Sequence, residues 1–481
     1  RAVCGLRSAR PRVCVFASSP APRPANARLQ AMLHAPIAPT LARLAWPNIL
    51  MMLAQSATGL IETWFLARLG TPVLAGVALV VPVLMLMQNM SQGAMGGGIS
   101  AAVARTLGAG RQQEADQLVL HAVVLNAALG LLFCVLLLAF GPRLYRALGA
   151  EGAALEAALA YSNVIFGGIV LMWLMNAFAS VIRGTGNMLM PGAVICGGAL
   201  LLVPLSPCLI FGWGPFPALG VAGGGWALVT YYAVGTLVLG GYCLSGRNAA
   251  RLTRCRLHLS LMRNILSVGA LATLNPLLTN GLVALTAALV GAYAGTAAVA
   301  GYGIAVRLEY LMMPLAFGLG APMVAMVGSN IGAGQPERAL RVALTGGAMA
   351  FALAEALGLA AALFPEVWLR LFGAEDHMLE AGSAYLRIVG PVYGFFALGF
   401  SMYFASQGAG RLKWPLWAGF LRLAVGAGVG GAALHLTGSL TLFFLIAAAA
   451  MCLYGLVILT AVASGSWFER GHLRKPGLAQ R

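Results

Sequence analysis

Apolar stretches long enough to cross a bilayer follow one another down almost the whole chain, broken by short polar or basic interruptions. A helical crossing needs about 20 mostly apolar residues, and the pattern predicts twelve. They fall at 41–67, 73–107, 112–140, 157–182, 189–212, 218–245, 262–291, 296–331, 337–364, 382–407, 413–436 and 439–464. The expected fold class is an all-α polytopic membrane protein.

An internal repeat divides these spans into two sets of six. Residues 108–191, moved by 224 positions, fall on 332–415 without a gap. Gly108-Ala109-Gly110 meets Gly332-Ala333-Gly334, Gly149-Ala150-Glu151 meets Gly373-Ala374-Glu375, and Ala160-Tyr161 meets Ala384-Tyr385. Gly184 and Gly186 meet Gly408 and Gly410, and Pro191 meets Pro415. With six spans each, both halves enter the membrane in the same orientation. The expectation is two six-helix lobes related by a parallel pseudo-two-fold repeat, facing each other across a substrate path. Five segments follow: an extension at 1–40, an N-lobe at 41–245, a linker at 246–260, a C-lobe at 261–464 and a basic tail at 465–481.

Composition agrees. Hydrophobic residues make up 60% of the chain and charged residues 9%, against roughly 25% charged in soluble domains. The net charge of +17 would suit nucleic acid, but its placement points to a membrane. One side of the predicted spans receives the N-terminal arginines, Arg105, Arg111, Arg183, the cluster from Arg247 to Arg263, Arg338, Arg341, Arg411, Lys413 and the basic tail. The other receives only Arg68, Arg143, Arg146 and Arg370. The positive-inside rule then places both termini in the cytoplasm, with the basic loops against anionic lipid and no nucleic-acid partner expected. The extension at 1–40 contains no acid. It reads as a transit peptide or as sequence upstream of a start at Met32, with no ordered structure expected before about residue 36.

Several chemistries are excluded or left without a basis. The only lysines, Lys413 and Lys475, stand in no phosphate-binding glycine loop, so ATP cannot be bound in that way. The histidines and cysteines have no metal-ligand or nucleophile spacing. No enzyme activity, metal or cofactor is expected, and the remaining energy source is an ion gradient.

Carboxylates inside spans are then the informative residues, since a charge at mid-bilayer costs roughly 2.5–3.5 kcal/mol on insertion scales. Glu62, Glu309 and Glu355 lie well inside spans. Glu62 stands six residues before Arg68 at the outer end of the first span, about 9 Å along a helix, at a depth suited to loading a proton from outside. A structural hydrogen bond is the alternative. Glu309, five residues before Pro314, is either a coupling and substrate-facing charge or half of a structural ion pair; Glu355 reads as packing. Methionines concentrate in the second and eighth spans, Met85 in one and Met312 and Met313 in the other, with Gln88 and Asn89 adding polar groups. With Glu309 they form the predicted substrate cavity, because thioethers adapt to ligands of varied shape; ordinary helix packing explains them equally.

Taken together, these residues resemble the multidrug and toxic compound extrusion (MATE) family. The likeness rests on six-plus-six helices, Gly-Ala-Gly after the second and eighth spans, and Arg-Gly-Thr-Gly (183–186) and Gln-Gly-Ala-Gly (407–410) after the fourth and tenth. Ala45-Trp46-Pro47-Asn48, Leu209-Ile210-Phe211-Gly212 and the stretch 220–227 add to it. The resemblance implies a monomeric, proton- or sodium-coupled antiporter in the plasma (inner) membrane that exports organic, often cationic, compounds. Glu62 stands where the family typically has an Asp in the first helix. The resemblance makes Glu62, Asn48 and Ser206 the candidate cation-coupling residues. Ser206-Pro207 replaces the Asp-Pro of the fifth helix and Leu202 the Asn, which weakens a sodium cage and favours the proton. Its rival is a flippase for a lipid-linked precursor, with Arg105, Arg183, Arg387 and Arg422 around an anion.

Overall fold

A computed structural model describes residues 24–371 and 376–467, and within them the apolar runs are helices. Eleven are long and apolar enough to cross a membrane; a bent pair supplies the twelfth crossing. The N-lobe spans are Ile37–Ala67, Thr71–Gly108, Gln112–Ala147, the pair Gly152–Gly167 and Ile169–Gly184, Leu189–Phe211 and Val221–Leu244. The C-lobe repeats them as Leu259–Gly295, Ala298–Gly332, Pro336–Leu363, Met378–Ala409, Lys413–Thr437 and Leu440–Ala463. The fourth crossing, predicted as one helix, bends by 46° at Gly168, where a Cβ would lie 2.6 Å from Val229. Between the seventh and eighth spans the chain turns at Gly295, whose φ of +81° only glycine adopts cheaply.

Two hydrophobic cores fill the lobes, and each borrows a helix end from the other half. Leu41 and Ala45 of the first span pack into the C-lobe core, while Leu261 and Ile265 of the seventh pack into the N-lobe core. This exchange joins the lobes near the face that carries the basic loops, called here the basic face. At the seam the repeat becomes a physical two-fold. A Cβ on Gly108 would overlap the carbonyl oxygen of Ser329, and one on Gly332 would overlap that of Arg105. Those four residues are two pairs of repeat mates, so the absence of side chains at two equivalent glycines sets how closely the second and eighth spans can approach. Within each lobe, Gly184 and Gly408 do the same: a Cβ would stand 2.8 Å from Ser100 O and 2.7 Å from Val324 O, again mates.

The two copies differ by one residue in one helix. On the basic side, Gly96 and Gly320, separated by 224 positions, face the mates Ser180 and Phe404. On the opposite side, Gly76 meets Ala154 O and Gly301 meets Met378 O; these glycines are 225 apart although Ala154 and Met378 are 224 apart. The extra residue is taken up by the π-helical turn Asn89–Met95 in the second span, for which the eighth has no counterpart. A π turn is how a helix accommodates an insertion, and such turns concentrate at functional sites.

Hydrogen bonds lock the seam. Arg105 donates to the carbonyls of Gly408 at 2.9 Å and Gln407 at 3.4 Å, and to Asn264 Oδ1 at 3.0 Å, joining the second span to the tenth and seventh. A hydrogen bond from a charged donor contributes about 1.5–3 kcal/mol, so Arg105→Ala should lower the population of this closed arrangement by tenfold or more. Maleimide labelling of a cysteine at Ser329 should accelerate accordingly; an unchanged rate would show the clamp to be idle. The linker is tied to the N-lobe: Gln112 donates to Ala249 O at 2.6 Å, Arg251 N–H to Asp116 at 2.8 Å, and His258 N–H to His121 Nε2 at 2.8 Å.

One expectation is corrected here. Order begins before residue 36: Pro24–His34 is a helix. Met32 is buried, its carbonyl accepts from Asn330 at 3.2 Å, and Arg338 donates to Ala35 O. The basic-face ends of the eighth and ninth spans supply polar partners for this segment, which its low hydrophobicity concealed. Residues 1–23, the landmark Gly373-Ala374-Glu375 and residues 468–481 of the tail lie outside the described residues.

Candidate functional site

Glu62 is buried inside the N-lobe, at 6% exposure. The first span delivers it to a pocket built by the fourth and sixth. Tyr161 donates to its Oε1 at 2.9 Å, and Gly224 lies so close that a Cβ there would be 3.3 Å from the same oxygen. Tyr232, another neighbour bearing on Glu62, accepts from Gln88 Nε2 at 3.2 Å. The carboxylate thus sits at the end of a phenol-and-amide network from the second, fourth and sixth spans. Its polar contacts are with tyrosine and not with a cation.

The C-lobe contains a second such pair. Tyr385, the repeat mate of Tyr161, donates to Glu309. The acid comes from the eighth span here and from the first span in the N-lobe, so the tyrosine is repeated and its acceptor is not. The surroundings differ too. Arg422, 5% exposed, bears on Glu309 and stacks over Phe396 at 4.6 Å. A nearby guanidinium compensates Glu309, whereas no cation among the described residues bears on Glu62. Glu355 is half-buried and accepts from Gly394 N–H at 2.8 Å.

The other expected site residues are dispersed. Asn48 is 14 residues from Glu62, about 21 Å along the helix, and its amide donates to Phe317 O at 3.2 Å and Gly318 O at 3.4 Å across the interlobe seam. Ser206 is buried but its hydroxyl has no hydrogen-bond partner among the described residues, so it does not hold Glu62. The predicted cavity does not assemble. Glu309 points into the C-lobe, Gln88 into the N-lobe network, and Met312 is buried in the C-lobe core with the half-buried Met313 packed against it. Met85 is 58% exposed and Asn89 is exposed at the start of the π turn. Met312 and Met313 are packing; the deformability that suits a ligand also suits irregular helix contacts. The four arginines of the flippase alternative also separate. Arg105 clamps the seam, Arg422 lies inside the C-lobe, Arg387 is exposed, and only Arg183 faces the interlobe space.

Tyr161, Tyr232 and Gly224 were not singled out from sequence as site residues. Tyr161 carried a signal, a tyrosine kept in both copies inside an apolar span, but its acceptor could not be read from the repeat because the two acids stand on different helices.

Comparison with known proteins gives a consistent picture. The MatE family model matches residues 47–208 and 272–431, one block in each lobe and together more than half of the chain. The FAD transporter of Shewanella oneidensis is 28% identical over 382 residues, 78% of this chain and 82% of that one. A probable multidrug resistance protein, NorM, of Thermotoga maritima is 27% identical over 80% of this chain and 82% of its own. Among solved structures, a MOP superfamily transporter of Pyrococcus furiosus, described as having a binding pocket of reversed polarity, superposes with a TM-score of 0.83. It covers 91% of this chain and 97% of its own, at 22% identity. A MATE structure in the bent conformation gives 0.84 over the same shares, at 23% identity.

Proposed function

Because this chain belongs to the MatE family, we propose that it is a secondary active exporter of small organic compounds driven by the proton gradient, with Glu62 as the proton carrier. The basic face is cytoplasmic, and a single chain supplies both walls of the path. Protonation of Glu62 from the opposite face neutralises the one buried acid among the described residues without a compensating cation. Tyr161 then loses its anionic acceptor, and the helices it joins are freed to shift. Release of the proton toward the cytoplasm restores the stronger, charge-assisted hydrogen bond.

The observation that carries this reading is the sparse oxygen set around Glu62. A hard cation such as sodium wants several oxygen ligands. Here one carboxylate meets one phenol donor, while Asn48 bonds across the seam and the Ser206 hydroxyl makes no hydrogen bond among the described residues; a proton needs only the carboxylate. Direct competition between a cationic cargo and the proton is not part of the scheme, since Glu62 and Glu309 both lie inside lobes. The coupling is conformational, through which face of the seam is open.

The test is efflux from vesicles with proton and sodium gradients imposed separately, followed with a fluorescent cargo. The proton gradient alone should drive efflux and the sodium gradient alone should not. Sodium-driven efflux with protons at equilibrium would refute the assignment.

A further inference from the structure

The interlobe cavity has walls that are repeat mates yet opposite in character. Gly93, Gly97 and Ser100 of the second span line one side; their mates Phe317, Ala321 and Val324 of the eighth line the other. The N-lobe wall continues into Arg183 and the C-lobe wall into Phe404, whose ring meets Phe317 edge-on at 5.2 Å. No carboxylate among the described residues lines the space.

Arg183 is the unusual member. It is 2% exposed, so it does not snorkel to water as an arginine at a helix end ordinarily would. Its Nε and Nη2 have no acceptor among the described residues, and neither does Nε2 of Gln92 on the same wall. The repeat mate of Arg183 uses its donor: Gln407 Nε2 donates to Gly93 O at 3.3 Å and to Tyr403 OH at 3.0 Å. A buried guanidinium with unused donors loses the full desolvation cost of those groups, and its planar fork matches a carboxylate or phosphate.

We propose that the interlobe cavity binds organic anions carrying a planar aromatic group, the anion on Arg183 and Gln92 and the ring against Phe317 and Phe404. This deepens the export reading above by naming its cargo class and rests on it. In the present arrangement the walls have closed to leave ≈ 10 Å³ between them, room for about one water. The site therefore takes its ligand when the basic-face seam opens, and closure of the seam expels it.

Equilibrium binding to the full chain in detergent tests this with two probes that share a ring system and differ in charge, riboflavin and riboflavin 5′-phosphate, read by fluorescence quenching. The wild type should bind the phosphate ester at least tenfold more tightly. Arg183→Gln should abolish that difference while leaving riboflavin binding in place; Arg183→Lys should keep part of it; Phe317→Ala should weaken both probes alike. Equal affinity of the wild type for the two probes overturns the proposal, as does a discrimination that survives Arg183→Gln. The wild-type comparison and the lysine variant decide the matter even if the glutamine variant fails to fold. No gradient enters the measurement, so a failure of proton coupling would leave its outcome unchanged.

Discussion

Gly332→Ala will stop export while leaving both lobes folded. The added methyl would overlap the carbonyl oxygen of Arg105, a backbone atom in the second span that cannot swing aside as a flexible side chain would. Close packing leaves no slack, so the eighth span must withdraw and the seam cannot seat. Withdrawal also strains the Arg105 clamp on Gly408 and Asn264. Substituting the mate, Gly108→Ala, should have the same effect through Ser329. Efflux should fall by more than tenfold in either variant, with cysteine pairs across the basic face failing to cross-link and thermal unfolding still cooperative. Wild-type efflux from either variant would mean that the seam does not close this tightly during transport.

Glu62→Gln should abolish gradient-driven efflux with a loss of comparable size. The amide keeps the shape and can still accept from Tyr161, but it cannot ionise, so the cycle has no proton to carry. Glu62→Asp is the sharper comparison. One methylene fewer draws the carboxylate back from the 2.9 Å contact with Tyr161, and efflux should drop severalfold without vanishing. Tyr161→Phe should reproduce that partial loss. If Glu62→Gln exports at the wild-type rate under an imposed proton gradient, proton carriage lies elsewhere; Glu309, with Arg422 beside it, would be the next residue to replace.

Much of the architecture could be read in advance for a simple reason. A bilayer demands long apolar helices, and a duplicated chain keeps the residues that end them, such as Gly108-Ala109-Gly110 and its mate. The position of Glu62 in the first span was legible for the same reason, because a carboxylate in an apolar run has few uses. What a side chain faces was not legible. Gln88, Glu309 and Met312 sit in spans that flank the interlobe seam, yet their side chains turn into the lobes, and in almost uniformly apolar helices no polar stripe announces this. Arg183 was visible as an arginine at a helix end, where reaching water is the ordinary expectation; only packing reveals that it reaches inward, with Nε and Nη2 lacking an acceptor among the described residues. The helix Pro24–His34 was missed because its docking partners, Asn330 and Arg338, lie some 300 positions downstream.

The surplus residue at Asn89–Met95 has a practical corollary for anyone building hybrids of the two halves. Below the π turn, segments of the second and eighth helices correspond at a constant spacing of 224. Beyond it equivalent positions stand 225 apart, so a graft aligned there by the 224 spacing would turn every side chain about 100° round the axis and away from its neighbours.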